Sequence, residues 1–223
     1  MASIFIDLNA ISQNIKTIAG LCNKYGISIT AVTKGVLADQ RVVRVLLNCG
    51  IKDIADSRLT NLKRIRKISD DIYLTLIRSP EIGEIEETLN IANCSFVSEV
   101  STVEKISRVA MRKNLTHDIV VMFDLGDRRE GFLPSEITIV LTYISRIPNI
   151  KIRGIGTNLG CISGVCYTGK KLEQLCDLAS KAEKILGYRL EIISGGSTGA
   201  LNLLYDGQVP KEVNNFRIGT AFF

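Results

Sequence analysis

The chain has 223 residues and a mass of 24.5 kDa, with 46% hydrophobic and 23% charged residues. That balance excludes wholesale disorder, and the length is enough for one or two domains that bury roughly 70% of the unfolded surface. The net charge of +5 is only mildly basic, aromatics make up 6% and tryptophan is absent, so base stacking has few candidates and no nucleic-acid partner is expected.

In chain order, a short apolar stretch at 4–8 reads as a strand and 10–25 as an amphipathic helix. Then β-branched runs recur at 28–33, 53–57, 72–77, 95–98, 119–125, 152–159, 190–193 and 216–222. Helical spacing fills the intervals, clearest at 41–47, 59–68, 103–111, 135–147 and 170–186. Strands alternating with helices mean βα units and a parallel sheet. Eight runs make one closed barrel, with the helix that precedes the first of them closing the ring. The fold expected is therefore an α/β (β/α)8 TIM-type barrel over 1–223, the alternative being a doubly wound open sheet.

No apolar run approaches about 18 residues, so no membrane span is expected. The opening MASIFIDLNAISQNI lacks the basic start and cleavage site of a secretion signal, and a cytoplasmic location is expected. Six cysteines, at 22, 49, 94, 161, 166 and 176, form no CxxC pair and read as reduced thiols. With one histidine, neither a multi-histidine metal site nor a Ser-His-Asp triad is expected, and no metal is assigned. His117 lies in the polar stretch KNLTHD and is expected at the surface.

Barrel chemistry sits at the C-terminal ends of the strands. There the pattern places Lys34, then Asp56 and Ser57, then Asp124 and Arg129, then Asn158 and Cys161, then the turn 194–199, then Arg217 and Gly219. A lysine closing the buried run ITAVT reads either as a strand end reaching solvent or as a Schiff-base lysine, which needs a desolvated amine. SGGSTG is a turn whose N–H groups, with the hydroxyls of Ser197 and Thr198, suit a phosphate, and the backbone at Gly219 and Thr220 offers a second half. A lysine across a barrel from such a cradle suggests pyridoxal phosphate.

The segments IDLNAISQNI, VTKGVLAD, GIKDIADSRLTNL, FDLGDRREG, GIGTNLGC and ISGGSTGAL, in this order over nearly the whole chain, resemble the alanine racemase-like (fold-type III) pyridoxal-phosphate enzymes, and within them the ornithine racemase branch. The resemblance implies that Lys34 carries the cofactor and is the catalytic base on one face. It implies that Arg217, in FRIGTA, meets the pyridine nitrogen. Ser194, Gly196, Ser197, Thr198, Gly219 and Thr220 match the phosphate region, Asn158 stands where alanine racemases often have a histidine against the ring, and Arg129 and Asp124 fall to the substrate side. Ala38 stands where alanine racemases proper have a phosphate-binding tyrosine, and SGGST replaces SGGNS.

Family racemases continue into a C-terminal β domain, absent from these 223 residues, and take a second base, a tyrosine, from that domain of a partner subunit. A homodimer is thus expected of the full-length protein. Tyr73 begins a strand and Tyr167 lies in a loop, so neither is well placed by pattern, and Cys161 and Cys166 remain as substitutes. Two functions stay open. One is the barrel domain of a racemase for a basic amino acid such as ornithine. The other is a bare barrel that binds pyridoxal phosphate without turnover, as cofactor-homeostasis proteins of this fold do.

Overall fold

The computed structural model describes residues 5–160 and 164–223. Eight parallel strands, β1 Ser28–Val32, β2 Asp53–Asp56, β3 Tyr73–Leu76, β4 Cys94–Val97, β5 His117–Met122, β6 Ile150–Gly156, β7 Ile192–Ser197 and β8 Asn215–Ile218, pair in sequence order and close into a barrel, which excludes the open sheet. The helices are α1 Leu8–Lys24, α2 Gln40–Asn48, α3 Leu59–Arg66, α4 Ile85–Ile91, α5 Val100–Arg112, α6 Ile137–Ile144, α7 Gly169–Leu186 and α8 Leu201–Tyr205. Among the described residues, no helix is long and apolar enough to cross a membrane.

The strand expected at 4–8 does not form. The Asp7 carboxylate accepts from the N–H groups of Asn9 and Ala10, so the helix starts at Leu8, and Ile4 lies outside the described residues. This helix packs on α2 and on the turn after β8, where Asn14 Nδ2 donates to the Phe222 carbonyl (3.4 Å). It thus stands between β8 and α2 in the ring, where the described residues after β8 form only a 3-10 turn, Thr220–Phe222.

Alternation sets the two sides of the barrel wall. In β5, Ile119 and Val121 join the core shared with the helices, while Val120 and Met122 pack inside with Cys94 and Phe96. Each helix supplies the matching stripe, as α5 does with Val103, Ile106 and Ala110. His117 is not at the surface. It opens β5 at 2% exposure, with its ring nitrogen 3.0 Å from Ser95 Oγ, because only the polar letters before it belong to the turn and the strand starts at His117 itself.

The interior is polar below. Arg153 lies 4.1 Å over the Tyr73 ring and 3.9 Å from Asp53, and Tyr73 donates to Asp118 (2.5 Å). Opposite, Asn215 Nδ2 donates to Ser28 and Thr30, stitching β8 to β1.

One irregularity matters for the site. The pairing runs Ser194↔Asn215, Gly196↔Phe216, Ser197↔Arg217, so β7 advances three residues while β8 advances two. Residues three apart face opposite sides of a regular strand. The extra residue lets both Ser194 and Ser197 face inward beside β8. Glycine permits it: a Cβ on Gly196 would stand 2.6 Å from the Ala200 Cβ and 2.7 Å from the Phe216 ring.

A half-buried carboxyl and a buried imidazole oppose each other in the pH dependence of stability. Burial pushes the Asp53 carboxyl from 3.8 up to about 6, against the pull of Arg153. Burial pushes His117 from 6.5 down to about 4. Between pH 4 and 6 the folded chain keeps a proton on Asp53 that the unfolded chain releases, so this group makes stability fall as pH rises. Over the same interval the unfolded chain holds a proton on His117 that the folded chain lacks, so this group makes stability rise. His117→Gln should leave stability falling from pH 4 to 6, and Asp53→Asn should leave it rising, each by on the order of 2 kcal/mol in urea titrations. Two flat profiles would contradict the assignment.

Candidate active site

The mouth of the barrel holds a cavity of about 540 Å³, within the range of small-ligand sites. Its wall carries Lys34, Arg129 and Arg217 and, among the described residues, no aspartate or glutamate side chain. Hydroxyl side chains of Tyr167, Ser197, Thr198 and Thr220 also line it. Three cations and four hydroxyls facing one space make an anion site.

Lys34 stands just beyond the end of β1, in a 3-10 turn that Leu37 ends in the left-handed region (φ 51°). Its stalk is anchored from below. Thr33 donates to the Asp56 carboxylate (2.8 Å), which also accepts from the Arg58 N–H (2.9 Å) and from Asn61 (3.1 Å). Asp56 is fully buried and these three bonds employ it, so it braces the lysine turn and does not line the cavity. Ser57 gives its carbonyl to Arg78 (2.7 Å). Lys34 itself reaches solvent along the wall of the mouth.

Arg217 forms the floor. It is 6% exposed and lies 5.5 Å over the Phe96 ring. Its guanidinium donates to the Ser194 carbonyl (3.2 Å) and hydroxyl, to the Thr157 carbonyl (2.7 Å) and to Asn158 Oδ1 (2.8 Å). Burial pushes its pKa down from the ordinary value, and the nearby Tyr167 and Glu130 act against that. Asn158 in turn donates to Glu130 Oε1 (2.5 Å), which lies 3.7 Å from Arg129. A chain of polar contacts thus runs from the loop after β5 through Asn158 to the floor.

The two loops expected to form one cradle do meet. The Ala221 N–H donates to Thr198 Oγ1 (3.3 Å), joining the loop after β8 to the loop after β7. Gly219 passes so close to β1 that a Cβ there would stand 2.7 Å from the Val32 carbonyl oxygen. Lys34, Arg129, Asn158, Ser197, Thr198, Arg217, Gly219 and Thr220 therefore share the cavity, as the sequence places them.

Of the residues matched to the cofactor and the substrate, three do not line it. Ser194 is fully buried beneath the floor, bonded to Arg217 and to Asn215 (2.7 Å). The space beside Gly196 is filled by Ala200 and Phe216, so its missing side chain serves packing. Asp124 turns away: its carboxylate accepts from the N–H groups of Gly126 (2.8 Å) and Arg128 (3.1 Å) and shapes the loop after β5. Cys161 lies outside the described residues, and Cys166 is exposed.

Sequence reasoning passed over Glu130, Phe96 and Tyr167. Glu130 was legible only as one letter of FDLGDRREG, and Phe96 only as a strand residue of the right parity. Tyr167 sits in a loop, yet its hydroxyl reaches 2.9 Å from Ser197 inside the cavity, which corrects the expectation that no tyrosine is well placed there.

The brace under Lys34 is open to test. Asp56→Ala leaves the Thr33 hydroxyl and the Asn61 amide without their acceptor in a dry place. Chemical denaturation should show a loss of about 2–4 kcal/mol. A loss below about 0.5 kcal/mol, the level of an ordinary surface change, would contradict the role.

Comparison with known proteins agrees with this geometry. The family described as alanine racemase, N-terminal domain, matches residues 6–223. The chain is 33% identical over 219 residues to ornithine racemase of Acetoanaerobium sticklandii, covering 98% of this chain and 62% of the relative. It is 33% identical over 218 residues to lysine racemase of Thermotoga maritima, covering 98% and 61%. The chain thus spans about three-fifths of the length of these relatives. Among solved structures, PipY of Synechococcus elongatus PCC7942 with PLP bound superposes with a TM-score of 0.79 at 16% identity, covering 96% of this chain and 99% of that one. An alanine racemase of Clostridium difficile 630 in complex with cycloserine superposes at 0.78 and 16% identity, covering 95% and 59%. On the match over nearly its whole length, the chain belongs to the alanine racemase N-terminal domain family.

Proposed function

We propose that this chain is the pyridoxal-phosphate-binding barrel of a racemase for a basic amino acid, ornithine or lysine. The observation that carries the reading is the cavity in which Lys34 shares one wall system with the joined loops at Ser197 and Thr198 and at Gly219 and Thr220, over the Arg217 floor. The two racemases at 33% identity support the reaction and the substrate class. The bare-barrel reading is less well supported, since PipY at 16% identity speaks for the shape alone.

The donor set fits the cofactor. Hydroxyls and backbone suit a phosphate, a primary amine suits an aldehyde, and a guanidinium suits a ring nitrogen. When bound, pyridoxal phosphate supplies the electron sink that makes the α-hydrogen of an amino acid acidic. Lys34 Nζ would hold the cofactor and, once displaced by the substrate's own amine, take or return the α-proton on one face. Arg217 has donors and no lone pair, and its positive charge would oppose protonation of a ring nitrogen set against it. Arg129 offers a fork for the substrate carboxylate. Asn158 and Glu130 hold Arg217 in place.

Inversion needs a second proton carrier on the opposite face. We assign it to the part of a longer protein that lies beyond the barrel in its relatives, acting from a partner subunit.

Added pyridoxal phosphate should give the chain a visible absorption band and a borohydride-fixed adduct on Lys34, and Lys34→Ala should lose both while keeping the fold. A fixed adduct that persists in the variant would overturn the assignment. With L-ornithine in deuterium oxide, the chain should exchange the α-hydrogen faster than chiral chromatography registers D-ornithine. D-ornithine appearing as fast as exchange would place the second proton carrier within these 223 residues.

A further inference from the structure

We propose that Tyr167 is a positioning residue for the cofactor phosphate, acting through the hydroxyl of Ser197. The inference rests on the pyridoxal-phosphate reading and assigns a role to a residue that reading leaves unused.

Tyr167 has a built seat. Its ring lies against Gly199, where a Cβ would come within 3.0 Å of it, and against Gly160, where a Cβ would come within 3.5 Å. The described residues next to it are held on both sides. The Gly160 N–H donates to the Val165 carbonyl (2.7 Å), and Thr168, next in sequence, caps α7 by accepting from the Lys171 N–H. A ring held this way presents its hydroxyl to one place, 2.9 Å from Ser197 Oγ.

The surroundings of Ser197 set the direction of the bonds. Its oxygen accepts from the Gly199 N–H (3.4 Å). When Tyr167 donates as well, both acceptor positions of the serine oxygen are filled and its own proton is left to donate. Ser197 pairs in register with Arg217 and lines the cationic cavity. The proton therefore points to an anion bound there. A hydroxyl that already accepts two bonds is a stronger donor than a free one, because aligned hydrogen bonds polarise one another. The phenol thus fixes the serine rotamer and strengthens its donation.

The test compares pyridoxal phosphate with pyridoxal, which lacks the phosphate, in absorbance titrations of the chain and its Tyr167→Phe, Ser197→Ala and double variants. Phenylalanine keeps the ring in its seat and removes only the hydroxyl. Tyr167→Phe should raise the Kd for pyridoxal phosphate about fivefold and leave that for pyridoxal unchanged. In the double variant the loss should equal that of Ser197→Ala alone, since the phenol acts through the serine. Inorganic phosphate should compete with pyridoxal phosphate less well in Tyr167→Phe than in the parent. Equal weakening of both ligands, an unchanged Kd for pyridoxal phosphate, or additive losses in the double variant would overturn the proposal. If the parent itself binds no pyridoxal phosphate, the underlying reading falls, and the proposal with it.

Discussion

A guanidinium buried without a carboxylate at its side is the constraint on which the mouth of this barrel depends. Taking a cation out of water is unfavourable unless its donors find acceptors. Arg217 directs its two terminal nitrogens to two backbone carbonyls, a serine hydroxyl and an asparagine oxygen, drawn from the ends of β6 and β7, and rests on the Phe96 ring. These neutral acceptors leave its positive charge uncancelled. They also tie together β6, β7 and β8, whose ends carry most of the cavity wall. Displacing any one of them would leave a charged group short of partners, so the floor is rigid for electrostatic reasons.

The vertical order of the interior obeys the same logic. The lower layer pairs its cation, with Arg153 over the Tyr73 ring and beside Asp53 and Glu191. The middle is apolar, with Phe96, Val120 and Met122. The upper layer sets Lys34, Arg129 and Arg217 in the cavity wall, with Glu130 behind Arg129 at 3.7 Å, and so keeps an excess of cations at the mouth. Stability and binding are thereby assigned to opposite ends of one tube.

Much of this was legible from the letters. Alternation of β-branched runs with helical spacing is a direct image of burial, and it yielded the barrel and its closing helix. The residues at strand ends came from the rule that such ends face the mouth. What failed were cases where local letters and tertiary role part company. ISGGS looks like a turn because glycine is rare in strands, yet its glycines are needed for the tight packing of β7 and its register shift. The polar run around His117 hides a strand start, since the neighbour that satisfies the ring, Ser95, is remote in sequence. Asp124 stands at a strand end but spends its oxygens on its own loop, as aspartates in turns do. Tyr167 escaped because a loop residue has no periodicity to betray its direction.

The register shift in β7 makes the pairing of that segment as binding as its composition. Exchange of one side chain at 197 would alter a single contact of the wall. Loss of the shift at constant length would put Ser197, three residues on, on the face opposite Ser194, carrying its hydroxyl out of the mouth and away from its place beside Arg217. The short stretch therefore works as a phase-setter: it decides which side chains the rest of the β7 loop shows to the ligand and which it hides in the helical shell.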